Sequence, residues 1–254
     1  MLFQWLYHFT GLDLFDGRLF RAGIAMLLSA GLVFFLMPKY IRLLQRLDAT
    51  SDFDKIGGVK SPPIMGGALL VIIVEIVSIL VCQMNGYTIS TLMVLFLFSA
   101  VGAVDDIAKV RAKRLVALGK LKAADYMDKA DGISSSLRLG LYFLISFIVA
   151  IFCYKFIPEL KGDLTVPFFP ISVFQIHLPN WAFIGFMTFV IAATANGTNF
   201  TDGLDSLVSV PIITSMIFVG AVAYIGGNFI FSSYLHVPFL PGCDELFPLA
   251  MSIA

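Results

Sequence analysis

The chain has 254 residues, 59% of them hydrophobic and only 13% charged, and its 17 basic and 17 acidic side chains cancel to zero net charge. A soluble domain of this length carries about a quarter charged residues, so a water-soluble globular protein is excluded. The zero balance gives no reason to expect a nucleic acid partner, whereas the long apolar runs make the lipid bilayer one.

In chain order, apolar runs at 22–37, 66–84, 89–104, 139–157, 181–195 and 208–225 predict six transmembrane helices, and 246–254 reads as the start of a seventh. The expected fold is an all-α polytopic membrane protein with a single integral-membrane domain over 1–254. The alternating strands of a transmembrane barrel do not fit. The amino terminus lacks a short apolar run ending in a cleavage site of small residues, so the first span is expected to serve as the insertion signal. Of the 17 Lys and Arg, five lie in 39–60 and eight in 109–138. Both basic loops are therefore expected on the cytoplasmic side, which places the amino terminus outside and the polar loop 196–207 inside. The outer segments are then the turn at 85–86 and the stretches 158–180 and 226–244. Alternation between prolines in 158–180 suggests a short β-hairpin on the outer side.

The cysteines, Cys82, Cys153 and Cys243, have no metal-ligand spacing and read as small buried residues. His8, His177 and His236 are isolated from one another. Glu75, deep in the second span, is either functional or paired with a hydroxyl or another helix.

Three polar constellations share the predicted inner face. The first is Asp105-Asp106 with Lys109 and Lys113, expected where the third span leaves the membrane. Adjacent aspartates at a helix end repel, and either a divalent cation or a lysine relieves the conflict. Lys109 and Lys113 fall one and two turns beyond Asp105 on a common face and suit phosphate oxygens. The second is the run Asn196-Gly-Thr-Asn199-Phe-Thr-Asp202-Gly-Leu-Asp205. The third is Lys60-Ser61-Pro62-Pro63-Ile64-Met65-Gly66-Gly67, where prolines forbid helix and the glycines allow close backbone approach to an anion at the start of the next span. Each has a bland reading as a membrane boundary. Four carboxylates converging beside a bilayer instead suggest phosphoryl chemistry on a lipid, with magnesium held by carboxylates and substrate phosphates.

These motifs, in this order and spacing, resemble the polyprenyl-phosphate N-acetylhexosamine-1-phosphate transferases (glycosyltransferase family 4), in their phospho-N-acetylmuramoyl-pentapeptide branch. Val166-Pro-Phe-Phe and the stretch 231–245 agree with that branch. The resemblance implies a magnesium-dependent enzyme of the bacterial inner membrane, with a cytoplasmic active face and a role in peptidoglycan synthesis. Its partners would be undecaprenyl phosphate and UDP-N-acetylmuramoyl-pentapeptide; a homodimer is kept open. By the same resemblance Asp105, Asp106 and Asp202 would be catalytic and metal-binding, Asp105 being the base for the lipid phosphate or its orienter. Lys60, Lys109, Lys113, Asn196, Asn199 and Asp205 would bind substrate.

Three departures stand out. Val59 occupies the family's lysine position, Ile64 breaks the following motif, and Ser206 replaces a glycine. The apolar run 246–254 stops far short of a span, so the family's further spans, third aspartate and histidine cluster are expected to lie beyond this chain. The chain alone is therefore expected to be inactive. The alternatives are a sister transferase acting on UDP-N-acetylglucosamine, a transporter, which would place acids at the midplane, and a non-catalytic scaffold.

Overall fold

The computed structural model describes residues 2–47, 49, 65–118, 132–165, 175–201 and 207–254. Nine α-helices are described among these: α1 (Leu2–Thr10), α2 (Arg18–Arg46), α3 (Gly66–Val81), α4 (Gly86–Ala117), α5 (Ser135–Phe156), α6 (Asn180–Thr201), α7 (Ser209–Gly227), α8 (Phe229–Tyr234) and α9 (Leu246–Ile253). Five of them, α2 and α4 to α7, are long and apolar enough to cross a membrane, whereas α3 is a shorter apolar helix. The second predicted span is thus present but ends at Val81, because Cys82 turns extended and a new helix is capped three residues later. Asn85 Oδ1 accepts from the Thr88 N–H at 3.0 Å, and Thr88 Oγ1 accepts from the Asn85 N–H at 2.8 Å. This reciprocal box fixes the start of α4.

Successive long helices run up and down, so that alternate termini gather at two ends. At one end the α2 side chain Arg21 donates to the Val81 carbonyl that closes α3, and a Cβ on Gly86 would meet the Phe156 carbonyl at the end of α5. At the other end Tyr40 of α2 donates to the Met65 carbonyl at the start of α3 (3.1 Å). The described end of α2, start of α3, latter part of α4 and start of α5 therefore gather at the second end, Asp105 of α4 meeting Ile133 and Arg138 there. Between the ends, Tyr87 and Val101 of α4 pack on Tyr142, Ile145, Val149 and Cys153 of α5. A second cluster sets Phe3 of α1 on Ala25, Ile73, Val77 and Val81, and Ala250 and Met251 of α9 close on Ala22.

The helix carrying the third span runs on past Asp105 to Ala117, as the common face of Lys109 and Lys113 requires, with an Asp105–Lys109 pair one turn apart. One sequence expectation is corrected: 196–207 is not a loop throughout, since α6 runs to Thr201. Thr194, Thr198 and Thr201 each fold their hydroxyl onto the carbonyl four residues back, at 2.8 to 3.0 Å. Polar residues are thereby absorbed into the helix rather than breaking it.

The hairpin in 158–180 is short. β1 (Asp163–Thr165) pairs antiparallel with β2 (Gln175–His177), Leu164 opposite Ile176, and a 2.7 Å contact joins Asp163 Oδ1 to His177 Nδ1. Val166-Pro-Phe-Phe lies outside the described residues.

Candidate active site

Asp105 is the centre of the described polar cluster. Placed by α4 and almost wholly buried, its carboxylate is held on three sides. Lys109 Nζ lies 2.7 Å from Oδ2, the Ile133 N–H donates to Oδ1 at 2.7 Å, and the Arg138 guanidinium sits 3.6 Å from Oδ1. Charge-assisted donors of this kind are the strong ones. The close approach of the 132–133 backbone requires Gly132, whose φ is +73° and whose Cβ, were there one, would collide with Asp105 Oδ1. Arg138 is aimed by its own second contact, donating to the Ile133 carbonyl at 3.3 Å. Ser134 starts α5 by accepting from the Leu137 N–H, which brings Arg138 round one turn later.

Asp106, the next residue, points elsewhere. Its carboxylate hydrogen-bonds the backbone N–H of Met65, a residue in the left-handed region at φ +72°. Tyr40 holds the other side of the same residue through the Met65 carbonyl. Asp106 borders a recess of about 220 Å³ between α3 and α4, lined by Gly67, Ala68, Ser99, Gly102 and Ala103. The small side chains leave room beside the acid. Ile64 and the prolines before it lie outside the described residues, so the third constellation is represented by Met65, Gly66 and Gly67 alone.

The remaining predicted residues are placed unevenly. Lys109 joins Asp105 directly, and Lys113 falls within α4 one turn further on. Asn196 and Asn199 lie on the last turns of α6, at the same end of the bundle but on another helix, Asn196 partly buried and Asn199 exposed. Lys60, Asp202 and Asp205 lie outside the described residues. Tyr40, Gly132, Ile133 and Arg138 were not singled out from sequence. Only Arg138 left a trace there, as one member of a basic segment.

Magnesium is commonly held by one or two carboxylates together with substrate phosphates and water. Asp105 has its oxygens taken up by Lys109 and Ile133. Asp106, beside an open recess, is the described carboxylate whose surroundings fit such an ion. Among the described residues no three His, Cys, Asp or Glu side chains converge.

The sequence profile described as glycosyl transferase family 4 matches residues 88–240. Over its whole length the chain is 31% identical to a phospho-N-acetylmuramoyl-pentapeptide-transferase of Helicobacter pylori strain 26695, covering 68% of that protein. The chain belongs to glycosyl transferase family 4. Proteins of the same name from Helicobacter hepaticus (30% identity over 99% of the chain and 68% of the relative) and Nitratiruptor (27% over the whole chain and 68% of the relative) are similarly related. Asp105, Asp106, Lys109, Lys113, Asn196, Asn199, Asp202 and Asp205 all fall inside the stretch matched to family 4, and Lys60 falls before it.

A second polar cluster occupies the opposite end. Arg21 of α2 grips Glu245 with two hydrogen bonds of 2.6 and 2.7 Å. Arg18 pairs with Asp244 at 2.8 Å, and the Gln83 N–H donates to Glu245 at 2.9 Å. Burial raises the Asp244 carboxyl above its ordinary range, against the pull of Arg18. This network joins the start of α2, the end of α3 and the approach to α9.

Proposed function

We propose that the chain works in the first membrane step of peptidoglycan synthesis. It would move phospho-N-acetylmuramoyl-pentapeptide from its UDP carrier onto undecaprenyl phosphate at the cytoplasmic face of the bacterial inner membrane, giving lipid I and UMP. The observation that carries this reading is similarity along the whole chain to enzymes bearing the transferase's name. The paired aspartates at one end of an apolar bundle suit it, since the acceptor is a lipid phosphate and the donor a soluble nucleotide.

The chemistry asks for positioning and charge neutralisation. An oxygen of the lipid phosphate forms a bond to the sugar-bearing phosphorus of the donor, and the pyrophosphate bond breaks with its electron pair leaving on UMP. Asp105, tied to Lys109 and Ile133, is the orienter in this scheme. It keeps the 132–133 backbone and the Arg138 cation beside the reacting phosphates. Asp106 faces the recess and takes the proton of the acceptor phosphate where one is present. Lys109 offers positive charge to phosphate oxygens; Asn196 and Asn199 are assigned to the nucleotide sugar, and Lys60, Lys113 and Asp205 are assigned to substrate by the family resemblance alone. A magnesium ion would be held beside Asp106, with Asp202 a further ligand by the family resemblance while the oxygens of Asp105 stay with Lys109 and Ile133, and would supply neutralisation of the pyrophosphate charge.

The test is transfer of label from UDP-N-acetylmuramoyl-pentapeptide into a lipid extract, compared with UDP-N-acetylglucosamine, using undecaprenyl phosphate and magnesium. Label entering lipid from the first donor alone supports the proposal. Label entering from the second alone would assign the chain to the sister activity.

A further inference from the structure

Met65, at the start of α3, is one of two described residues other than glycine with a positive φ. A left-handed backbone is easy for glycine and unfavourable for a residue that carries a Cβ. Met65 has no side-chain oxygen with which to cap α3, so its own chemistry does not select this conformation. It is held instead by groups from three helices. The Asp106 carboxylate of α4 accepts from the Met65 N–H, and the Tyr40 hydroxyl of α2 donates to the Met65 carbonyl at 3.1 Å. The same carbonyl takes the opening bond of α3, from the Ala68 N–H at 3.2 Å.

Tyr40 is half-buried, six residues before the end of α2, and its contact reaches Asp106 through one residue. The N–H and the carbonyl of Met65 are separated only by that residue's φ and ψ, so whatever fixes the carbonyl also fixes the direction of the N–H. Without the Tyr40 hydroxyl the carbonyl keeps only the Ala68 N–H, and Met65 is free to fall back to the right-handed or extended backbone that its Cβ prefers. Its N–H then turns away from Asp106. The recess beside that acid is lined by Gly67, Ala68, Gly102 and Ala103, whose small size leaves a released carboxylate room to swing.

We propose that Tyr40 is a positioning residue for the transfer: through the Met65 peptide it fixes the direction of the Asp106 carboxylate in the recess between α3 and α4. This rests on the role given to Asp106 above, and Tyr40 itself touches no reacting atom.

Isoleucine precedes methionine once in the chain, at Ile64–Met65. Labelling the whole chain with carbonyl-13C isoleucine and 15N methionine therefore gives a single amide signal, that of Met65, in a carbonyl-filtered spectrum recorded in detergent. Its proton is expected downfield, as for a bond to a carboxylate, and Asp106→Ala supplies the position of the released amide. Tyr40→Phe, which removes one hydroxyl, should move the signal most of the way to that position and speed its exchange with heavy water by about 10-fold. A signal that stays in place in Tyr40→Phe would overturn the proposal. In the chain extended to the relatives' full length, Tyr40→Phe should lower kcat by about 10-fold and leave KM for the nucleotide donor within about twofold, because a displaced reacting group slows the step without removing donor contacts. A raised KM at unchanged kcat would overturn the proposal as well. Met65→Gly keeps the test open should Tyr40→Phe impair folding, since glycine takes the left-handed conformation unaided. In that background the loss from Tyr40→Phe should shrink to under about twofold; a loss that stays near tenfold would mean that Tyr40 acts by another route. An extended protein that transfers from neither donor would sink the transferase reading, while the Met65 signal would still decide whether Tyr40 holds Asp106.

Discussion

Breaking the Arg21–Glu245 pair should destabilise the bundle more than removing any single exposed charge. Both side chains are almost completely buried, at 1% and 3% exposure, and Arg21 also donates to the Val81 and Asp16 carbonyls. An Arg21→Met variant leaves the Glu245 carboxylate buried with only the Gln83 N–H and Arg18 at 3.7 Å. Removing one partner of a buried pair costs about 3–5 kcal/mol. For a chain of this size that is a fall of roughly 6–20 °C in melting temperature. Glu245→Gln should cost a similar amount, because it strands the guanidinium instead. Replacing both partners, as Arg21→Met with Glu245→Met, removes the orphaned charge and should recover most of the loss, the Gln83 N–H left behind accounting for about 1–3 kcal/mol. The assay is thermal unfolding in detergent followed by helical circular dichroism. A double variant as unstable as the sum of the two single variants would refute the reasoning, since the partners would then be acting separately.

In the chain extended to the relatives' full length, Asp106→Asn or Asp105→Asn should lower transfer by about 10²–10³-fold while leaving membrane insertion intact, because charge positioned for the transition state is lost; near-normal turnover would make the pair structural. Gly132→Ala should destabilise the chain by about 1–3 kcal/mol, since its φ is +73° and the new Cβ would collide with Asp105; unchanged denaturant unfolding would mean that Ile133 does not dock on Asp105. Cysteines placed at Lys55 and Lys120 should be shielded from an impermeant thiol reagent in intact cells, and one at Lys161 should react. The native thiols should stay silent, because Cys82 and Cys243 are almost wholly buried and Cys153 packs in the cluster that joins α4 and α5. Reversed labelling would put the aspartates outside.

The membrane fold was legible because the bilayer demands long apolar helices and leaves few alternatives. The placement of basic residues alone leads one to expect the polar segments at one end, where the described Met65, Asp105 and Asp106 meet. Helix ends were less legible. Threonines that bond their own helix, as in α6, look like loop residues by composition, and Asp105 looked like the end of a span because the apolar run stops at Val104. Asp105 and Lys109 were found from spacing, but Arg138 was not. Its contact with Asp105 depends on a left-handed glycine and a serine cap that fold the start of α5 back over α4, and neither leaves a periodic signal. The Arg21–Glu245 pair joins residues 224 positions apart, a separation no local pattern reports. Glu75 remains the odd residue of the apolar interior. Its Oε1 is buried without a hydrogen-bond partner among the described residues, beside an apolar cavity of about 370 Å³ bounded by Met84, Leu92 and Met93.

Product formation from two competing donors is the most direct measurement of the chain's activity. The chain, and the chain extended to the relatives' full length with the carboxyl-terminal part of the Helicobacter pylori transferase, are each given undecaprenyl phosphate, magnesium and equal amounts of labelled UDP-N-acetylmuramoyl-pentapeptide and UDP-N-acetylglucosamine. The predicted result is a muramoyl-pentapeptide lipid with release of UMP from the extended protein, formed at least about 100-fold more slowly with Asp106→Asn within this chain. A lipid carrying only N-acetylglucosamine, or undiminished product from the Asp106→Asn protein, would contradict it.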